Sequence, residues 1–257
     1  MSAESNSPYL STDDLVQTGK SGYLTNLEAL EYLKEKRDFW YDFSILSMAA
    51  TSVAVLFSLG LASGVAAAAL KTLATVASFD RLILIIELLL EAFKNEITII
   101  PKVKTDAGKI ELFVKTNDGR LFAFESRSKG TSQIKWRQEH QDFLILSSQK
   151  NGKTRTQKWA ELSTIGANLN TSVLALKKQK NEIVGKTNTQ LRKPVTRAII
   201  LTGKTEIDPN NDEALFADFG KLKKEDRKLL RVAAENTVFL LNQDDLVNFL
   251  LPKDKNL

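Results

Sequence analysis

Two glutamates, Glu111 and Glu125, lie in short β-type segments that a turn connects. The segments 110–115 and 120–125 are rich in β-branched and aromatic residues, which predicts two strands, and Asn117-Asp118-Gly119 between them is typical of a hairpin turn. Two carboxylates that converge on such a hairpin can hold Mg²⁺, an ion that polarises a phosphate and lowers the pKa of an attacking water. Glu111 and Glu125 are therefore candidate metal ligands and candidate catalytic residues.

The register of this hairpin decides whether the two carboxylates converge. A three-residue loop, Asn117-Asp118-Gly119, makes Thr116 face Arg120 and places Glu111 directly opposite Glu125 on one face of the sheet. A two-residue loop shifts the pairing by one residue and sends the two carboxylates to opposite faces. A type I turn closed by a left-handed glycine suits these residues, which favours the first arrangement.

Residues 110–130 resemble the active-site hairpin of the nuclease-related domain (NERD-like) family, which belongs to the PD-(D/E)xK nuclease superfamily. The usual pattern of that family is an Asp in one strand, a turn with Gly, and an apolar strand that ends in Glu-x-Lys. Glu111, Gly119 and Glu125-Ser126-Arg127 stand at the matching positions. The resemblance extends over about residues 97–250, and it implies a restriction-endonuclease-like α/β core, in which a mixed sheet is flanked by helices.

Two residues depart from the family pattern. Glu111 stands where the family has Asp, so its carboxylate reaches one methylene further. Arg127 stands where the family has Lys, and an arginine stays protonated, so it can hold a phosphate but cannot act as a base. These changes favour a site that binds phosphate and hydrolyses slowly or not at all, with Mg²⁺ as cofactor only if the site is active. The alternative is that Glu111, Glu125 and Arg127 are ordinary strand residues that pair across the sheet.

The composition excludes several other chemistries. The chain of 257 residues contains no cysteine, which rules out disulfides, thiolate zinc sites and cysteine nucleophiles. Its single histidine, His140, rules out a histidine-rich metal cage.

Positive charge is concentrated in the middle of the chain. Residues 127–204 contain 16 basic and 4 acidic side chains, whereas 1–126 contain 12 and 16, and 205–257 contain 8 and 11. Such a block attracts phosphate backbones or anionic lipid headgroups, although it can also serve solubility alone. Trp136 and Trp159 lie in the block, either as platforms for bases or as core residues. The candidate contacts to nucleic acid or another polyanion are Lys129, Lys135, Arg137, Lys153, Arg155 and Lys158.

An uncharged stretch precedes the α/β region. No charged side chain occurs in residues 43–70, a run of 28 residues, and about 20 apolar residues suffice to cross a bilayer. The strongest part, 43–62, predicts a membrane helix, in which small residues recur as in helices that pack closely within a membrane. The alternative is a buried helix of a soluble bundle.

A second apolar stretch at 75–93 extends this prediction to a helical hairpin. It is long enough to cross only if Asp80 and Arg81 lie at the far interface and 63–73 form the connection. The lysines on both flanks then favour the cytoplasm for both ends. The alternative is a single span followed by an interfacial helix whose Glu87 and Glu91 face water.

The chain is therefore expected to consist of a flexible polar tail (1–25), a helical region with membrane segments (26–96) and an α/β domain (97–257). Strands are predicted at 97–100, 195–201 and 238–241, an apolar run lies in 134–148, and helices are predicted at 159–178, 223–235 and 243–250. Strands interleaved with helices indicate a mixed sheet covered by helices.

We expect a membrane-anchored protein whose cytoplasmic domain binds nucleic acid or another polyanion with little or no catalysis. The alternative from a different class is a non-catalytic structural or assembly subunit of a membrane protein complex, in which the basic stretch contacts acidic partners or lipid headgroups. A third hypothesis is an active Mg²⁺-dependent nuclease.

Overall fold

Two long helices open the part of the chain that the structure describes. The structure is a computed structural model, and it describes residues 23–57, 59–94, 96–140, 142–148, 153–179, 183–211, 230–232 and 238–252. Helix α1 comprises Asn26–Phe57 and helix α2 comprises Leu59–Phe93. The predicted tail, 1–25, lies almost entirely outside the described residues.

The two helices form an antiparallel pair that two ion pairs bridge. Lys34 Nζ lies 2.6 Å from Glu87 Oε1, and Arg37 Nη1 lies 3.8 Å from Asp80 Oδ1. The predicted connection at 63–73 is wrong, because these residues are helical and belong to α2. The physical reason is local, since residues 66–69 are four consecutive alanines, and alanine is the strongest helix former.

The second predicted membrane segment, 75–93, packs against the protein's own sheet. Phe79, Leu82, Ile85, Ile86 and Leu89 are fully buried there, at the spacing of three to four residues that gives a helix one apolar face. Among the helices of the described residues, none has both the length and the apolar character that crossing a membrane requires.

Within the described residues, ten strands and three further α-helices follow the helical pair. The strands are β1 (Ile97–Thr105), β2 (Gly108–Thr116), β3 (Leu121–Arg127), β4 (Ser132–Arg137), β5 (Asp142–Ser148), β6 (Thr154–Lys158), β7 (Val195–Leu201), β8 (Thr205–Ile207), β9 (Leu230–Val232) and β10 (Val238–Asn242). The helices are α3 (Glu161–Lys178), α4 (Asn188–Arg192) and α5 (Leu246–Leu250). The chain is thus a mixed α/β protein, as predicted. Most of the predicted helix at 223–235 lies outside the described residues, and its described part, 230–232, is strand β9.

A six-stranded mixed sheet has the order β1-β2-β3-β7-β10-β9. Strands β1, β2 and β3 form an antiparallel meander, whereas β7 runs parallel to both β3 and β10. Helix α3 lies between β3 and β7 in the chain and makes that parallel crossover possible, because parallel neighbours cannot be joined by a tight turn.

Helices cover both faces of this sheet. The face that carries Leu112, Phe124 and Ile200 packs against α1, α2 and α5. The opposite face, which carries Phe113 and Ala123, packs against the buried side of α3, from Leu169 to Leu176. Helix α2 and the sheet therefore share one hydrophobic cluster.

A second, four-stranded sheet has the order β6-β5-β4-β8 and was not predicted as a separate sheet. The apolar run at 143–146 lies in its strand β5. Phe143 and Ile145 pack with Trp159 and Ile199, and Leu144 and Leu146, which alternate with them, remain half-buried on the outer face. The sequence indicated only an apolar run here, because four consecutive apolar residues identify neither the type of element nor the sheet that it joins.

Candidate functional site

The loop between β2 and β3 has three residues, as the sequence favours. Gly119 N–H donates to the carbonyl oxygen of Thr116 at 2.8 Å, and Thr116 N–H donates to that of Arg120 at 3.1 Å. Gly119 has a φ of +80°, a left-handed conformation that costs glycine no steric strain. This local closure sets the register of the whole hairpin.

That register brings the two predicted carboxylates together. Leu112 pairs with Phe124, so the next position on each strand places Glu111 opposite Glu125. The ladder stops there, and Glu111 Oε2 accepts the backbone N–H of Ser126 at 2.6 Å. The Ser126 N–H thus bonds to the Glu111 side chain instead of to a backbone carbonyl oxygen of β2. This hydrogen bond holds the Glu111 carboxylate beside Glu125, where the pairing of β2 and β3 ends.

The guanidinium of Arg127 lies between the two carboxylates. Its Nη1 is 3.1 Å from Glu125 Oε2 and 3.7 Å from Glu111 Oε2, and it also donates to the carbonyl oxygen of Ser126 at 2.6 Å. The two glutamate side chains are only 10% and 13% exposed, whereas that of Arg127 is 31% exposed. The three predicted catalytic positions therefore form one compact cluster, whose exposed member is the cation.

Burial changes the protonation of this cluster. It raises the pKa of Glu125 from 4.5 to about 7, and the neighbouring charge of Glu111 acts in the same direction. The positive charges of Arg127 and Lys109 oppose that rise without cancelling it. Near neutral pH the Glu125 carboxyl is consequently about half protonated.

Two charged residues near this cluster were missing from the sequence-based prediction. The positive charge of Lys109 lowers the pKa of Glu125. Lys109 lies two residues before Glu111 on the same strand, so the alternation of strand residues could have placed it beside the cluster. Glu161, in the first turn of α3, bonds Lys129 Nζ at 3.0 Å. That hydrogen bond and ion pair hold the pKa of the Glu161 carboxyl below its usual value, and the positive charge of Arg127 adds to the effect.

The cluster as arranged does not fit a divalent metal ion. Among the described residues there is no group of three or more His, Cys, Asp or Glu side chains able to hold a metal. Mg²⁺ can be held by one or two carboxylates and waters, but here the Arg127 guanidinium already lies within ion-pair distance of both carboxylates. The predicted Mg²⁺ ligands Glu111 and Glu125 are thus brought together around an arginine.

The six predicted basic contacts do not form one surface. Lys135 and Arg137 lie on β4, and Lys158 lies on β6 in the row that continues from Lys135 through Leu144, so these three share the outer face of the small sheet. Arg155 pairs with Ser147 and therefore points to the other face. Lys153 precedes β6 and is exposed, and Lys129 lies beyond the end of β3 near Trp159.

Two of these six cations, Arg137 and Lys158, share one aspartate as their ion-pair partner. Asp142 Oδ1 and Oδ2 accept from Arg137 Nε and Nη2 at 3.0 and 2.9 Å, and Lys158 Nζ lies 3.1 Å from Asp142 Oδ2. The hydrogen bond from Arg137 is the main reason why the pKa of Asp142 falls to about 2. Asp142 is one of only four acidic residues in 127–204, and it lies where it lowers the positive charge of the outer face.

The remaining candidates are core or surface residues. Trp159 is buried and is therefore a core residue. Trp136 is half-buried and packs edge-on against Phe143, with ring centroids 4.8 Å apart. His140 ends a short 3-10 turn and is exposed.

Helix α3, strand β7, strand β10 and helix α5 lie in this order in the chain after the hairpin, with shorter elements between some of them. Strand β7 lies directly beside the strand that carries Glu125. In comparisons with protein-family models, curated proteins and solved structures, no match to this chain was found.

Proposed function

We propose that this protein is a divergent PD-(D/E)xK-like protein that binds nucleic acid with little or no hydrolysis, while its helical pair holds it at the cytoplasmic side of a membrane. The observation that carries the proposal is the convergence of Glu111, Glu125 and Arg127 at the end of the β2–β3 ladder. These are the three positions that the resemblance marks as catalytic, and they lie in a sheet with helices on both faces.

The chemistry of the cluster favours binding over cleavage. Arg127 supplies a positive charge and no base, because an arginine side chain does not act as a base in proteins. Glu125 is about half protonated near neutral pH, since its pKa is about 7. A phosphate that approaches the exposed edge of Arg127 meets a cation that two carboxylates hold in place, and a charged guanidinium can donate two hydrogen bonds to one phosphate.

The first test is binding of the full-length protein, in a mild detergent, to labelled single-stranded RNA and double-stranded DNA. We expect affinity for at least one of them to fall about tenfold or more between about 50 and 200 mM salt, because binding releases counterions. Arg127→Gln should weaken binding about threefold or more, whereas Lys115→Gln, which removes an exposed charge from the same hairpin, should have a smaller effect.

Two results would contradict the proposal. Absence of binding to both nucleic acids at about 50 mM salt would leave the assembly-subunit hypothesis in its place. Mg²⁺-dependent cleavage by the wild-type protein that disappears in Glu125→Gln would establish hydrolysis and reject the non-catalytic part.

Asp142→Asn should strengthen nucleic-acid binding. The substitution leaves Arg137 and Lys158 without their shared carboxylate, so both become available to phosphates on the outer face of the small sheet. We expect affinity to rise about threefold at low salt, and the dependence on salt to become steeper by about one counterion.

The matched control for this change is Asp106→Asn. It alters the net charge equally, in the turn between β1 and β2, where Asp106 bonds Gln179. Equal changes in affinity for the two variants would show that net charge alone, and not the outer face, governs binding.

A further inference from the structure

The distal half of the α1–α2 pair carries an exposed apolar surface. Leu46 and Leu70 are 67% and 69% exposed, and Ile45, Met48 and Leu73 are also large apolar residues with exposed side chains. The other end of the pair is covered by the sheet, where Leu33, Phe79 and Ile86 are buried. Several exposed large apolar side chains within one region mark a place where another apolar phase or molecule binds.

The register of the pair shows where its uncharged end begins. Arg37 on α1 and Asp80 on α2 form an ion pair and therefore lie at the same level of the helical pair. Nine residues from this ion pair towards residue 58, α1 reaches Leu46 and α2 reaches Lys71, so these two residues are also level. Beyond that level, α1 continues through residues 47–57 and α2 through residues 59–70, and neither segment contains a charged residue.

The length of this uncharged end matches one leaflet of a bilayer. Eleven and twelve helical residues, at about 1.5 Å each, extend about 16 and 18 Å. The hydrocarbon core of a bilayer is about 30 Å thick, so one leaflet contributes about 15 Å. Each of the two segments is therefore long enough to reach the middle of a bilayer from its surface.

Three of the described hydroxyl groups near this end donate hydrogen bonds within their own helix. Ser44 Oγ donates to the carbonyl oxygen of Tyr41 at 2.7 Å, Ser47 Oγ to that of Phe43 at 2.8 Å, and Thr75 Oγ1 to that of Lys71 at 3.0 Å. Such bonds to the preceding turn let serine and threonine enter a region without water.

Aromatic residues and one lysine lie near the boundary of the uncharged end. Phe39 and Tyr41 are 60% and 53% exposed, Trp40 lies edge-on between Phe39 and Phe43, and Lys71 stands on the facing helix. Aromatic rings and lysines of this kind are enriched at the level of lipid headgroups.

We infer that the end of the helical pair, residues 46–70, inserts into a single leaflet of a lipid bilayer and returns to the same side. This inference rests on the membrane attachment proposed above and specifies its geometry. Lys71 and the aromatic residues lie at the level of the headgroups, and Leu46 and Leu70 enter the adjoining hydrocarbon. The α/β domain stays at the membrane surface.

The first arm of the test is flotation of the full-length protein with vesicles of phosphatidylcholine containing a minor share of phosphatidylglycerol. Wild type should float, and Leu46→Glu combined with Leu70→Glu should reduce vesicle binding about tenfold or more, because charge is costly in hydrocarbon. The matched control combines Leu27→Glu with Leu174→Glu, two exposed leucines away from this end, and should float like wild type.

The second arm measures depth with a single fluorescent thiol label. The chain has no cysteine, so Ser58→Cys introduces the sole labelling site. In vesicle-bound protein, insertion into one leaflet predicts that the label is protected from a water-soluble quencher on either side, and that lipids with a quencher near the bilayer centre quench it most strongly.

Each other outcome has a distinct meaning. If a quencher outside the vesicles reaches the label, the helical pair lies on the membrane surface. If only a quencher inside the vesicles reaches it, the helical pair crosses the bilayer. Either result overturns insertion into one leaflet but keeps membrane attachment. Failure of the wild type to float rejects membrane attachment itself. If the protein then forms oligomers that the two glutamates dissociate, the exposed leucines belong to a protein interface.

Discussion

The contribution of Glu125 to stability should decrease by on the order of 3 kcal/mol as the pH rises from below 4.5 to above 7. The Glu125 carboxyl has a pKa of about 7 in the folded chain, against an ordinary value of 4.5. Between these values the folded state binds more protons than the unfolded state, so the free energy of unfolding falls with rising pH. The stabilisation is complete below the lower value and is lost as the pH passes the upper one.

Chemical denaturation of wild type and Glu125→Gln between about pH 5 and pH 8 measures this effect. The amide does not ionise, so the variant should lack this decrease and gain stability relative to wild type as the pH rises. Glu111→Gln should move the wild-type transition to lower pH, because it removes the charge that helps raise the pKa of Glu125.

Glu161→Gln is the control for this prediction. The Glu161 carboxyl is held ionised by Lys129 and has a lowered pKa, so its replacement should not remove the loss of stability near pH 7. If the free energy of unfolding changed with pH in the same way for wild type and Glu125→Gln, the Glu125 carboxyl would titrate in its ordinary range and the prediction would be wrong.

Phe124→Ala should destabilise the fold by about 3–5 kcal/mol. Phe124 is fully buried, and its ring centroid lies 6.1 Å from those of both Phe122 and Phe249. Removal of the ring leaves a cavity between the sheet and helices α2 and α5, beneath the strand that carries Glu125. The loss is measured as a decrease in the denaturant concentration at the midpoint of unfolding, in a variant whose m-value equals that of wild type.

Leu84→Ala is the matched control for the core substitution. Leu84 lies on α2, which packs on the same face of the sheet, but its side chain is 54% exposed, so the loss should stay below about 1 kcal/mol. A loss for Phe124→Ala as small as that for Leu84→Ala would mean that the ring is not enclosed as described.

Local sequence determined the part of the candidate site that depends on a single turn. Asn117-Asp118-Gly119 closes a three-residue loop, and the strict alternation of a strand then carries the register from this loop to Glu111 and Glu125. The mixed α/β class was equally accessible, because periodicity and residue type change together after Pro101. These features depend on neighbours in the chain, and such neighbours can be read from the sequence.

Tertiary structure alone decided the features that depend on distant residues. Helix α2 is apolar enough to suggest a membrane segment, but its second half is buried by the sheet, a partner that hydrophobicity does not identify. Likewise, Asp142 neutralises Lys158 because β5 pairs with β6, and Glu161 neutralises Lys129 from 32 residues away. A count of charges records how many residues of each sign are present, and only the packing of strands and helices determines which of them meet.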